Sequence, residues 1–240
     1  MSFIAAAMIM AALAMLAVAV RFAFFAIVSA LAPLDEPPAH EPNTRFCVLV
    51  PAHNESRNLL PTLSAARALD YPAELFRVVV LADNCTDDTA AIAREAGVPV
   101  VERHDRVLTG KGEALRWFIA NHRAPDEAVM CCDADSRPAP DYLRWMDRAL
   151  AQGWGGAQGF NGTANPDASG LAALAAITGG MKNAFHYGGK AAVGLSCPLM
   201  NGWTLAATTL QAHPWRAFGV AEDFEQTLRL VDEEIGRAHV

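Results

Sequence analysis

The sequence predicts an α/β domain, a mixed and mainly parallel sheet flanked by helices, preceded by an apolar N-terminal helix. Two observations predict the domain. From Arg45 onward short apolar runs alternate with helical patterns, and the residues that close three of those runs are polar and acidic. A third observation predicts the helix: residues 1–20 carry no charge, and Arg21 alone separates them from a second uncharged run, 22–34.

About 20 apolar residues span a bilayer, so residues 1–34 read as a transmembrane or interfacial anchor. A secretory signal peptide is the competing reading, because Ala30, Leu31 and Ala32 resemble a cleavage site. Against it, the run has no basic leader and is too long. A buried helix hairpin is a third reading, since the segment is alanine-rich and only mildly hydrophobic. Arg21 is the first positive charge after the span, and the positive-inside tendency then puts the following chain on the cytoplasmic side of the inner membrane. Residues 35–44, D-E-P-P-A-H-E-P-N-T, are polar and proline-rich and read as a linker.

The domain follows element by element. The apolar run 46–51 reads as a first strand, 58–69 as a helix and 76–82 as a second strand. A helix over 87–96, capped by Thr86, leads into a short strand at 98–102. Residues 111–121 read as a helix, 128–132 as a strand and 141–151 as a helix. A last helix, 224–231, begins behind Glu222 and Asp223. There is no internal repeat.

With 240 residues, 52% of them hydrophobic and 19% charged, the chain supports one sizeable core. A net charge of −7 speaks against nucleic acid as a partner, because phosphate neutralisation calls for a basic face. The five cysteines are odd in number and lack C-x-x-C spacing, which indicates reduced thiols. Cys131 and Cys132 are adjacent within an expected buried strand and read as apolar packing.

In open α/β sheets, ligands bind beyond the carboxyl ends of the strands. Here those positions read P-A-H-N-E (51–55), D-N-C-T-D-D-T (83–89) and D-A-D-S (133–136). The first turn lacks G-x-G-x-x-G, which disfavours NAD and FAD. A D-x-D triplet occurs about once by chance in a chain of this composition. Its place after the run 128–132 makes it informative, because i and i+2 side chains leave a strand on one side. Two carboxylates so placed hold a hard cation, Mg²⁺ or Mn²⁺, which bridges a diphosphate. The plainer reading is a solvated turn with capping aspartates.

Joined by G-K-G-E-A-L (110–115) and A-E-D-F-E (221–225), these motifs resemble glycosyltransferase family 2 of the GT-A fold, from about Arg45 to Leu230. The resemblance implies an inverting, metal-dependent transferase. It would move a hexose or N-acetylhexosamine from a nucleotide sugar, typically UDP-linked, to a lipid or polysaccharide acceptor at the membrane. Position by position, it places Ala52, His53 and Glu55 in the nucleoside pocket and Asp83 on the base. Lys111 falls near the base or phosphates, Asp133 on the sugar and ribose side, and Asp135, with Asp133, on the metal. Asp223 becomes the catalytic base with Glu222 beside it, and Asn201, Gly202 and Trp203 border the acceptor. The chemistry agrees: a cation on the leaving diphosphate stabilises developing charge, and a carboxylate accepts the proton of the attacking hydroxyl. Attack from the face opposite the leaving group inverts the anomeric centre. The plainer readings are a helix N-terminus for Glu222 and Asp223, a solvated lysine for Lys111, and core aromatics for Trp203 and Trp215.

Two departures from the family stand out. Neither the Q-x-x-R-W motif nor the further spans of membrane-integrated relatives is present, and E-I-G-R-A-H-V (234–240) matches one reading frame of a sequencing adapter. The domain is therefore expected over 45–233, incomplete at its C-terminus, with a non-native tail. A membrane-tethered nucleotide-sugar binder without turnover is the alternative function. Sugar-nucleotide pyrophosphorylases are disfavoured because residues 51–55 do not form their glycine-rich, arginine-containing loop.

Overall fold

A computed structural model describes residues 3–32 and 40–239, which fall into two compact units. The first part of the expected linker, up to residue 39, lies outside the described residues. One unit comprises residues 40–159 and 196–239, and the other residues 3–32 and 160–195.

The larger unit is built on β1 (Arg45–Ala52), β2 (Phe76–Asp83), β3 (Val100–Arg103) and β4 (Glu127–Cys131), all parallel. Successive side chains of a strand point to opposite faces, and both faces here are apolar. Phe46, Val48 and Val50 join Val80 and Met130 against Leu59 and Leu63 of α2 (Leu59–Arg67) and Leu143 and Met146 of α5 (Tyr142–Ala151). On the opposite face Cys47, Leu49, Leu81 and Cys131 pack on Leu115 and Phe118 of α4 (Lys111–Asn121) and on Trp203, Trp215 and Leu230. The strand order β3-β2-β1-β4 continues through β6 (Thr204–Leu205), β5 (Gly156–Gln158) and β7 (Arg237–His239). β6 runs antiparallel to both of its neighbours, whereas β7 runs parallel to β5. The α/β class and the largely parallel sheet are as expected from the sequence.

Several details differ from expectation. The helix α3 (Thr89–Glu95) starts later than expected, and Thr86 does not cap it. The backbone N–H of Thr86 instead donates to Asn54 Oδ1, while Asp87 Oδ1 receives the backbone N–H of Thr89. β4 ends at Cys131, so Asp133 and Asp135 lie in a turn, closed by Ser136 N–H donating to the Asp133 carbonyl at 3.0 Å, rather than on a strand. Residues 237–239, read as part of a tail, pair with β5, and the buried Arg237 guanidinium donates to the carbonyls of Cys197 (3.0 Å) and Ile235 (2.7 Å).

The smaller unit contains α1 (Phe3–Leu31), long and apolar enough to cross a membrane, with α6 (Gly170–Met181) and α7 (Gly188–Ala192) joined through a π-helical segment, Lys182–Tyr187. Ser169 caps α6 by accepting the Ala172 N–H at 3.1 Å. The sequence placed residues 160–195 within one continuous domain; they fold with α1.

Candidate active site

Beyond the carboxyl ends of β1, β2 and β4 opens a cavity of about 1320 Å³, lined among others by Ala52, His53, Glu55, Asp83, Lys111, Asp133 and Asp135. Each lining loop is fixed by its own hydrogen bonds. Asn54 adopts φ +57°, which asparagine tolerates, and its Oδ1 accepts the N–H groups of Thr86 (2.8 Å) and Asp87 (3.3 Å), locking the loop after β1 to the loop after β2. His53 Nδ1 donates to the Asp83 carbonyl at 2.7 Å. The backbone N–H of Glu55 donates to Thr89 Oγ1 at 2.8 Å, and Cys85 Sγ reaches the Ala52 carbonyl at 3.4 Å.

Asp83 is held by a partner the sequence did not single out. Arg103, at the end of β3, donates through Nη1 to Asp83 Oδ1 at 2.7 Å, and both side chains are buried. Arg103 also donates to the Leu108 carbonyl and lies 3.3 Å from Asp105 Oδ2, so it ties the loop behind β3 to the same corner. Removing one partner of a buried pair strands the other charge at a cost of about 3–5 kcal/mol. Arg103→Met is therefore expected to lower the thermal midpoint by roughly 10 °C. An unchanged midpoint in differential scanning calorimetry would show that the pair contributes nothing.

The D-A-D-S turn is braced from behind. Asp133 N–H donates to Asn201 Oδ1 at 3.0 Å, and Asn201 Nδ2 donates to Ser136 Oγ. Gly202 has φ +80°, and a Cβ there would come within 2.7 Å of the Tyr142 hydroxyl, which itself donates to the Gly202 carbonyl at 2.6 Å. Gly202 and Trp203, expected to border an acceptor, are both buried. Trp203 stacks on Trp215 with ring centroids 4.9 Å apart, and its Nε1 donates to Asp223 Oδ1 at 2.8 Å.

Glu222 and Asp223 open α9 (Glu222–Asp232), which follows α8 (Ala207–Ala212), and are joined to Asp133 by Lys111. Its ammonium lies 2.9 Å from Asp133 Oδ1, 3.0 Å from Glu222 Oε1 and 3.5 Å from Asp223 Oδ2. Burial disfavours the charged lysine, but Cys131 and the Asp223 and Asp133 carboxylates together outweigh it and hold the Lys111 pKa above its ordinary value. Burial pushes the Asp223 carboxyl above the usual carboxylate range, opposed by Lys111 and the Trp203 hydrogen bond and reinforced by Glu222. Lys111, expected beside the base or phosphates, thus also holds the acidic start of α9.

Among the described residues no three His, Cys, Asp or Glu side chains converge on one point. The pair Asp133 and Asp135 nevertheless suits a hard divalent cation, which proteins commonly bind through one or two carboxylates while substrate phosphates supply further oxygens.

Residues 47–161 match the model of glycosyl transferase family 2. The chain is 30% identical over 111 residues to the cellulose synthase catalytic subunit (UDP-forming) of Pseudomonas fluorescens, a stretch covering 45% of this chain and 14% of that one. It is 31% identical over 108 residues to the beta-monoglucosyldiacylglycerol synthase of Synechocystis sp., covering 43% of this chain and 22% of the relative. Both aligned stretches span less than a quarter of the relatives' own lengths. Among solved structures, the mannosyltransferase PcManGT of Pyrobaculum calidifontis, in complex with GDP-Man and Mn²⁺, superposes with a TM-score of 0.69 at 20% identity, covering 95% of this chain and 66% of that one. This likeness establishes a shared GT-A architecture.

Proposed function

We propose, from the membership of residues 47–161 in glycosyl transferase family 2, that the chain transfers a hexose or N-acetylhexosamine from a UDP-sugar to a lipid or polysaccharide acceptor, with inversion. The observation that carries this reading is Lys111. One ammonium joins Asp133, on the donor cavity, to Glu222 and Asp223, so the donor-side and base-side carboxylates belong to one site.

The residues divide the work as follows. Ala52, His53 and Glu55 form the wall against which the nucleoside lies. Asp83 has Oδ1 engaged by Arg103 and Asn84, which leaves Oδ2 to accept an N–H from the base. Asp135 and Asp133 would hold Mg²⁺ or Mn²⁺, which when bound neutralises the charge developing on the departing diphosphate. Trp203 fixes Asp223 through Oδ1, and Oδ2, 3.5 Å from the Lys111 ammonium, takes the proton of the acceptor hydroxyl. Its raised pKa makes Asp223 a better proton acceptor than an ordinary carboxylate.

UDP as the nucleotide is supported by the name of the UDP-forming relative, and a divalent metal by the Mn²⁺ bound to the structural neighbour. A membrane-located acceptor and a cytoplasm-facing site are supported by α1, by Arg21 behind its first run, and by the lipid-linked and cellulose products named for the relatives. Binding to the folded state raises apparent stability. The full chain with Mn²⁺ is therefore expected to gain thermal stability with UDP-glucose or UDP-N-acetylglucosamine and less with GDP-mannose. A panel in which no nucleotide sugar raises the midpoint would refute the reading.

A further inference from the structure

None of the strand-end motifs uses residues 160–195, yet α6 is built in an unusual way. It holds no charged residue between Ser169 and Met181, and Leu171, Leu174, Ile177 and Met181 follow at spacings of three and four, so they share one face, every one of them more than half exposed. The segment behind it is docked on the second half of α1. A Cβ on Gly189 would lie 2.1 Å from the Phe25 carbonyl oxygen, so the backbones there are in contact. Ser29 Oγ donates to the Ala184 carbonyl at 2.6 Å, and the His186 ring lies 4.9 Å from that of Phe22 and 5.2 Å from that of Phe25.

We propose that α6 is a second membrane-contacting element, an interfacial helix that inserts its Leu171, Leu174, Ile177 and Met181 face into the leaflet at the end of α1. The occupant of this face is lipid, for three reasons. The face belongs to the same compact unit as α1, a membrane-length helix whose most apolar stretch has no residue buried. Twelve residues give α6 a length of about 18 Å, short of the roughly 30 Å hydrocarbon core, so it lies in the boundary and does not span. Lys182 follows the apolar face directly and Lys190 lies nine residues beyond Met181, and anionic headgroups at the boundary attract both. The proposal rests on the reading of α1 as a membrane span.

The test reconstitutes the full chain in vesicles of equal parts phosphatidylcholine and phosphatidylglycerol. In a Cys85→Ser background, single cysteines carrying an environment-sensitive fluorophore replace Leu174 on α6, Leu13 on α1 and Leu60 on α2. Acyl-chain-brominated lipids are expected to quench the labels at 174 and 13 several-fold more strongly than the label at 60. A label at 13 quenched by lipid, with that at 174 reached only by aqueous iodide, overturns this inference and leaves the anchor standing. No lipid quenching at 13 overturns the anchor reading itself. A label at 174 shielded from both quenchers and cross-linking to a second copy of the chain overturns the lipid assignment in favour of a protein contact.

Discussion

Asp223→Asn is expected to lower the turnover number for sugar transfer by about 10³-fold, within the range assigned to a positioned general base, while leaving UDP affinity nearly unchanged. The asparagine keeps the shape and can still receive the Trp203 indole N–H through its Oδ1, so the folded site survives. What it loses is the oxygen that takes the acceptor proton. The wild-type pH profile supplies an independent check. A base works only when ionised, and burial raises the Asp223 pKa, so kcat/KM should fall on acidification through an apparent pKa above the usual carboxylate range. The acid limb should disappear in Asp223→Asn. Undiminished turnover in that variant would remove Asp223 from the mechanism.

Lys111→Met is expected to damage both stability and binding. In the wild type one ammonium sits within 3.5 Å of carboxylates from Asp133, Glu222 and Asp223. Methionine preserves the aliphatic volume and leaves the three carboxylates without their common counter-charge. The site is half-buried, so the loss lies between that of an exposed and a buried pair, about 2 kcal/mol, or a midpoint lowered by roughly 4–8 °C. The sign with pH follows from the carboxylates: the deficit is largest where they are ionised and shrinks as acid protonates them. A deficit independent of pH between neutrality and the carboxylate range would show that Lys111 acts through packing alone.

The sheet and the gathering of its strand-end residues were legible in the sequence because the signals are local. The runs of β1, β2 and β4 are short, apolar and closed by polar residues, and one cavity does gather Ala52, His53, Glu55, Asp83, Lys111, Asp133 and Asp135. What escaped depends on pairing across the fold. Asp83 and Arg103 meet because β2 and β3 align them in register, and Trp203 meets Asp223 because β6 and α9 pack on one sheet face. Neither juxtaposition leaves a pattern along the chain. Asp133 and Asp135 stand just past the run 128–132 as expected, but a turn closed by the Ser136 N–H, and not strand alternation, orients them. The helix α6 was overlooked for a different reason. Its large apolar side chains recur at spacings of three and four, but alanine and glycine fill most other positions, so the contrast along the chain is weak.

On the proposed reading, the cavity above β1, β2 and β4 binds a nucleoside diphosphate through a metal held by Asp133 and Asp135. Isothermal titration of UDP into the full chain, with and without Mn²⁺, tests it most directly. UDP is expected to bind at least tenfold more tightly with Mn²⁺, a difference of about 1.4 kcal/mol, and Asp135→Asn is expected to erase the difference. UDP binding of equal strength with and without the metal, or no binding at all, would contradict the account.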